Sequence, residues 1–370
     1  MSCDEPSLPP FPKPAPGDRL EDLSTPLPVI DEDTLSANIA RVQAYMDAHG
    51  LGFRPHIKTH KIPSLARAQV DAGAKGINCQ KVTEAEIFAA AGFQDILITF
   101  NIVGEQKLAR LAALNERMSD LKVVADSLET VDGLAAFFAH RKPLTVLVEC
   151  DTGGGRCGVQ SPAEAVALAR RIVISESLSF GGLVTYPKPN TEQAVDRFFR
   201  QAMADLAAEG IECPIRSHGG TPSLYSAHLV TAATEHRAGT YIYNDRSMVR
   251  AGHCGFEDCA MQILATVVSR PTPDRAIIDA GSKALTSDLL GFADYGHILD
   301  YPDARITTLS EEHGTVDLKD VRGRRPDIGE RIRIIPNHTC VVSNLFDVMT
   351  FHRNGVVTRV EDVAARGLVW

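Results

Sequence analysis

LTVLVEC (residues 144–150), DTGGGRCGVQ (151–160), SPAEAVALARRIVISESL (161–178) and SFGGLVTY (179–186) follow one another and read as strand, glycine loop, helix and strand. Two strands running in the same direction through a helix make a parallel βαβ unit. Working outward, the same rhythm holds from about residue 30 to residue 250. Strand runs are Gly52 to Lys58, Gly76 to Gln80, Asp95 to Phe100, Lys122 to Asp126, Leu144 to Cys150, Ser179 to Tyr186, Ile215 to Gly219 and Gly239 to Tyr243. Helix-period segments lie between them, among them Thr34 to Ala48, Glu105 to Asn115, Pro162 to Ile174 and Thr191 to Glu209. Eight strands with intervening helices predict an α/β fold, a (β/α)8 TIM-type barrel, whose chemistry gathers at the carboxyl ends of the strands.

After about residue 256 the pattern changes to strand-like runs without helix signals: Gln262 to Val268, Arg275 to Asp279, Arg331 to Ile335, Val341 to Val342 and Phe346 to Phe351. The expected organisation is an N-terminal segment (1–31) ending in a strand of the second domain, a barrel (32–255), and a C-terminal mostly β domain (256–370). Lys plus Arg number 38 against 47 Asp plus Glu, a net charge of −9, and no basic tract suggests nucleic acid. Apolar runs are strand-sized, so no membrane span is expected. The Pro-rich, acidic start is unlike a secretory signal and the eight cysteines form no CxxC pair, which together predict a cytoplasmic protein with reduced thiols.

Four motifs carry candidate chemistry. Arg54-Pro55-His56-Ile57-Lys58-Thr59-His60-Lys61 closes the first strand. Its plain reading is a solvated basic loop, but a lysine leaving a barrel strand is poorly solvated, and a lowered pKa makes its amine a nucleophile toward an aldehyde. Lys58, nearer the strand end, is preferred to Lys61. The loop Asp151 to Gly158 has the G-x-G-x-x-G spacing of a dinucleotide site, yet it follows the fifth strand of a barrel and carries Arg156. Its glycines are read as letting Arg156 fold back over a ligand. Ser217-His218-Gly219-Gly220-Thr221, beside Thr240 and Tyr241, follows the seventh strand, where barrels place phosphate on backbone N–H groups. A lysine beside a phosphate cup implies pyridoxal phosphate. In Asn337-His338-Thr339-Cys340, a strand would put His338 and Cys340 on one face as two ligands of the kind Zn²⁺ accepts. Two ligands leave positions for water and substrate; by spacing alone a buried histidine near a cysteine is the commoner outcome. Glu311, Glu312, His313 and Asp347 are further candidates.

These motifs, with Thr25-Pro26-Leu27-Pro28-Val29-Ile30-Asp31, Cys79-Gln80-Lys81, Asn101-Ile102-Val103-Gly104 and Asp279-Ala280-Gly281-Ser282-Lys283, resemble the D-threonine aldolase and D-serine dehydratase family of fold-type III pyridoxal-phosphate enzymes, relatives of alanine racemase. The resemblance covers nearly the whole chain. It implies that Lys58 carries pyridoxal 5'-phosphate as a Schiff base and that Gln80, Arg156 and Tyr186 lie against the cofactor. It also implies that Ser217, Gly219, Gly220, Thr221, Thr240 and Tyr241 hold the phosphate, and that His338 and Cys340 bind a divalent metal such as Mn, Zn, Mg or Co. The implied substrate is a small D-β-hydroxy-amino acid and the implied assembly a homodimer.

Two reactions share these parts: D-threonine aldolase cleavage to glycine and an aldehyde, and dehydration of D-serine or 3-hydroxy-D-aspartate to a 2-oxo acid and ammonia. The aldolase is preferred on the Asn101–Gly104 and Thr185-Tyr186-Pro187 stretches, while the His-x-Cys pair also fits the dehydratase. After Tyr186 the chain reads Pro187-Lys188-Pro189-Asn190, where many relatives carry a histidine, so the base is open among His56, His60, His218 and the metal site. A racemase using Tyr295 or Tyr301, a non-catalytic cofactor carrier, and a metallohydrolase using His56 and His60 are the other readings.

Overall fold

The computed structural model describes residues 13–370; most of the Pro-rich start, and Cys3, lie outside the described residues. The chain forms two compact units. One comprises Met1–Asp33, Met261–Asn337 and Val348–Asp362, and the other Thr34–Ala260, His338–Asp347 and Val363–Trp370.

In the first unit, β1 (Leu27–Asp31) belongs to a nine-stranded sheet whose other strands lie beyond residue 260. It pairs antiparallel with Met261–Thr272 and parallel with Val348–Arg353. In the second unit, eight parallel strands form the barrel: β2 (Gly52–Phe53), β3 (Ile77–Cys79), β4 (Asp95–Asn101), β5 (Asp120–Ala125), β6 (Leu144–Cys150), β7 (Leu178–Thr185), β8 (Ile215–His218) and β9 (Glu235–His236). The ring closes through a single parallel bridge between His56 and Asn78.

Side-chain alternation along the strands divides the barrel into two interiors. Ile96, Val123, Val146 and Leu183 face outward into a continuous apolar layer with helix residues such as Phe88, Leu111, Phe138, Ile172 and Phe199. Leu97, Val124, Leu147 and Val184 form a separate small cluster inside. The rest of the interior is charged. Arg54, 3% exposed, bonds Glu235 (3.0 Å) and Asp95 (2.7 Å), and Lys122 reaches Asp95 at 2.8 Å. Ser217 Oγ donates to Glu235 at 2.8 Å and Arg237 donates to the Thr185 carbonyl at 2.8 Å. Removing one member of such a network strands its partners. Arg54→Leu is expected to lower the unfolding free energy by about 3–5 kcal/mol, measured by urea titration.

Three local expectations are corrected. The first run is a strand only over Gly52–Phe53, and Ile57–Thr59 is a 3-10 turn capped by the His56 ring, so Lys58 sits on that turn. The eighth strand is Glu235–His236, and Thr240–Ile242 is a 3-10 turn. β-Propensity in Tyr241-Ile242-Tyr243 yields to context, because the Thr221 hydroxyl accepts from the Gly239 and Thr240 N–H groups and turns the chain. Val341–Val342 is helical within Thr339–Ser343, and residues 338–347 belong to the barrel unit rather than to the β domain. Among the described residues no helix is long and apolar enough to cross a membrane.

Candidate active site

The two lysines of the first motif differ sharply in surroundings. Lys61 has φ +57°, is buried, and directs its ammonium to the Ala365 carbonyl (3.1 Å), the Leu368 carbonyl (3.4 Å) and Glu84 (3.4 Å). That amine is a structural clamp on the C-terminal segment. Lys58 is half-buried, and its charge acts on the His56 ring together with those of Arg237 and Arg156. Burial first, and then these cations, hold the His56 pKa well below its ordinary range, so His56 is neutral. Its Nε2 meets Gln80 Oε1 at 3.0 Å, and Gln80 Nε2 donates to the Thr99 carbonyl at 2.8 Å. His56 and Gln80 thus build the wall behind Lys58.

The glycine loop after β6 is shaped by carboxylates. Asp151 accepts from Gly153 N (2.9 Å) and Gly155 N (3.0 Å), and Asp126 accepts from Gly158 N (3.0 Å). Gly158 has φ +120°, and a Cβ there would lie 2.4 Å from Asp151 N, so only glycine fits. The loop carries Arg156 over the Tyr186 ring, 4.6 Å from its centre, with Glu149 3.7 Å away. Burial raises the Glu149 carboxyl and the Arg156 and Arg237 charges oppose the rise. Gly154, Arg156, Tyr186, Lys188, Gly220 and Ser223 line a cavity of about 170 Å³.

The two 3-10 turns after β8 and β9 begin at Thr221 and Thr240, joined by the Thr221 hydroxyl. Their first N–H groups have no partner within their own turns. A Cβ on Gly220 would come 2.8 Å from the Tyr186 ring, and one on Gly239 2.7 Å from Thr59 Oγ1, so bare backbone approaches both walls of the mouth. Two expected phosphate contacts are otherwise engaged. The Ser217 hydroxyl lies in the buried Glu235–Arg237 network. The Tyr241 hydroxyl accepts from Gln69 at 2.7 Å and its ring packs on Phe53. With Lys58, Arg156 and Arg237 near one another, the mouth suits a phosphate ester beside an amine that can take up an aldehyde, which is the demand of pyridoxal phosphate.

His338 is the N-cap of the Thr339–Ser343 helix and Cys340 lies in its first turn. The strand-face argument is therefore replaced by a helix terminus that still brings the two side chains together. Cys340 Sγ is 3.1 Å from Thr59 Oγ1 and 3.7 Å from Thr240 Oγ1, next to the lysine turn and the phosphate turn alike. Burial alone would raise the Cys340 thiol; the His338 hydrogen bond and the His338 and Lys58 charges hold it below the usual thiol range. An imidazole with an ionisable thiol is a donor pair for a borderline divalent ion. Among the described residues the one cluster of three metal-capable groups is Asp126, Glu149 and Cys157, away from the His338–Cys340 pair in sequence. Of the other candidates, Glu312 pairs with Lys283 (2.6 Å) and Asp347 with Arg366 (2.8 Å).

Two of the three histidines considered as bases are confined. His60 is buried with its ring between Gln69 (3.2 Å) and Ile62 N (3.1 Å). His218 is buried edge-on to His236, with ring centres 4.8 Å apart. His56 is occupied by Gln80 and by capping the lysine turn.

The alanine racemase N-terminal domain family matches residues 30–247 and a serine dehydratase domain family matches residues 260–352. The chain is 37% identical to a D-threonine aldolase of Arthrobacter sp, covering 96% of this chain and 97% of that protein. The chain belongs to the D-threonine aldolase and D-serine dehydratase family of fold-type III pyridoxal-phosphate enzymes. Within this family it is also 36% identical to the D-threo-3-hydroxyaspartate dehydratase of Delftia sp. (strain HT23), covering 89% and 94% of the two chains. The crystal structure of D-threonine aldolase from Filomicrobium marinum superposes with a TM-score of 0.89 at 30% identity, covering 96% of this chain and all of that one. A D-threo-3-hydroxyaspartate dehydratase with a cysteine-to-alanine substitution, solved in a metal-free form, matches at TM-score 0.84 and 33% identity over 93% and 99% of the chains. These family members are lyases acting on small D-amino acids, and the chain is a lyase of this pyridoxal-phosphate class.

Sequence reasoning passed over Thr59, Glu149 and Arg237, and noted Asp245 only as one of the polar residues from Tyr241 to Asp245 at the end of the eighth strand run, without a role. Arg237 and Glu149 each lie one alternation beyond an inward-facing residue, a signal that becomes readable only once the strand limits are known. Tyr301, weighed for a racemase, donates its hydroxyl to Glu330 at 2.6 Å within the β unit.

Proposed function

We propose that this protein is a D-threonine aldolase that uses pyridoxal phosphate and a divalent metal to cleave D-β-hydroxy-α-amino acids to glycine and an aldehyde. The observation that carries the reading is the contact between Thr59, adjacent to Lys58, and Cys340, which joins the amine and the donor pair in one mouth. Lys58 would supply the amine that holds the cofactor aldehyde, the backbone of Gly219–Thr221 and Tyr241 would receive its phosphate beside the Thr240 N–H already given to the Thr221 hydroxyl, and Arg156 would meet the ligand from above Tyr186. Pyridoxal phosphate supplies an electron sink for a breaking bond at Cα. His338 and Cys340 would hold the metal, which would supply Lewis acidity toward an alcohol oxygen. His56 is engaged by Gln80 and by capping the lysine turn, His60 lies between Gln69 and Ile62 N, and His218 is buried, so none of these three is placed to take the hydroxyl proton.

The Asn101–Gly104 and Thr185-Tyr186-Pro187 stretches support the aldolase, while the overall identities to the Arthrobacter aldolase and the Delftia dehydratase are nearly equal. The cysteine in the donor pair, together with a dehydratase relative whose cysteine-to-alanine variant was solved in a metal-free form, supports dehydration as the second reading. Incubation of the holoenzyme with D-threonine and analysis of products by NMR separates them. Glycine with acetaldehyde is the expected result; 2-oxobutanoate with ammonia overturns it. Treatment with a chelator is expected to abolish turnover while the bound cofactor's absorbance persists. Full activity of metal-free protein, verified by elemental analysis, contradicts the metal assignment. A homodimer, carried on the family resemblance, and a cytoplasmic location, carried on the scattered cysteines, are part of this proposal.

A further inference from the structure

Asp245 is fully buried, follows the phosphate turn, and lies outside the set of groups that touch cofactor or substrate in the reading above. Its two carboxylate oxygens serve two different helices. Oδ1 accepts from Ser247 Oγ (2.6 Å) and Met248 N (3.1 Å), capping the helix Arg246–Arg250. Oδ2 accepts from Thr339 N (3.1 Å) and Thr339 Oγ1 (3.3 Å), at the start of the helix whose N-cap is His338 and whose first turn holds Cys340. Thr339 is the residue between the two donors. The helix has five residues and so little cooperativity of its own, which makes its first turn dependent on an external acceptor. Upstream, the Asn244 N–H bonds the Thr240 carbonyl at 2.7 Å, with Asn244 at φ +51°. The chain from the phosphate turn to Asp245 is therefore tightly folded, and what Asp245 holds is held relative to that turn.

We propose that Asp245 is a positioning residue for the metal pair: its carboxylate fixes the Thr339 backbone so that His338 and Cys340 are aimed together beside the phosphate turn before any metal binds. The proposal rests on the reading of His338 and Cys340 as metal donors. Outer groups of this kind typically change metal affinity by about 10–100-fold when removed. An amide at position 245 keeps the volume but has one acceptor oxygen and one donor nitrogen, so it cannot cap both helices.

The test is titration of the metal-free, cofactor-loaded protein with Co²⁺, reading the thiolate-to-cobalt charge-transfer band and the affinity by chelator competition, with cofactor absorbance recorded in parallel. The wild-type protein is expected to develop the band. Asp245→Asn is expected to weaken Co²⁺ binding by at least about tenfold with the cofactor retained. Two milder variants guard against loss of folding. Thr339→Val, which removes one bond to Oδ2, is expected to weaken Co²⁺ binding several-fold. Ser247→Ala, which removes only the bond to the other helix, is expected to leave it unchanged. Unaltered Co²⁺ affinity in both Asp245→Asn and Thr339→Val, or an equal loss in Ser247→Ala and Thr339→Val, overturns the positioning role. Absence of any charge-transfer band in the wild-type protein overturns the metal-donor reading and this inference with it.

Discussion

Lys58→Ala is expected to remove the long-wavelength absorbance of lysine-bound pyridoxal phosphate and to lower turnover on the order of a thousandfold or more, as loss of a covalent catalytic group does. Lys61→Ala is expected to keep that absorbance and to fail differently. It leaves Glu84 buried at 1% side-chain exposure without its cation, and it frees the Ala365 and Leu368 carbonyls. Burial already raises the Glu84 carboxyl, with Lys61 the largest opposing influence, so the residual carboxyl would take up a proton or destabilise the fold. A loss of about 3–5 kcal/mol follows from breaking a buried pair on one side. Absorbance spectra and urea midpoints of the two variants separate these effects. The inverse pattern, absorbance lost in Lys61→Ala and kept in Lys58→Ala, would refute the assignment.

Stability is expected to fall steeply as the pH drops below about 6.5, the ordinary histidine value in an unfolded chain. Burial lowers His60 to about 4 and His218 to about 3, and holds His236 well below its usual range, with the His218 and Arg237 charges adding to the effect there. Between about pH 6.5 and pH 4 the unfolded chain therefore binds protons that the native protein excludes, so stability rises with pH across that window and is lost as pH falls through it. Each such histidine contributes up to about 1.4 kcal/mol per pH unit. Three acting together are comparable to the whole stability of a typical domain within about two pH units. Urea midpoints measured from pH 7.5 to pH 4.5 should decline continuously below pH 6.5; a flat profile would contradict the burial of these rings.

The barrel was legible in the chain because strands and helices differ in hydrophobic period, and eight alternations leave few other ways to bury both faces of a parallel sheet. The expected mouth was read on the same ground: Lys58, Gln80, Arg156, Tyr186 and the 217–221 loop all lie at or just past the ends of predicted strands. Local signals failed where a distant partner overrode them. Tyr241-Ile242-Tyr243 has strand composition, yet the hydroxyl of Thr221, twenty residues upstream of Tyr241 in the chain, turns it away. Val341-Val342 favours a strand, yet Asp245, nearly a hundred residues before it, caps it as a helix.

Periodicity and the alternation of strand and helix signals were thus enough to specify the architecture, and the quoted motifs carried the resemblance to the family, because each depends on side-chain chemistry and short-range order. Which of two neighbouring lysines is a clamp and which is left for chemistry, which hydroxyls are consumed by the barrel's buried charges, and how His338 meets Cys340 were decided by tertiary structure alone. Those outcomes depend on hydrogen-bond partners tens to hundreds of residues away, and no local pattern encodes where such partners will fall.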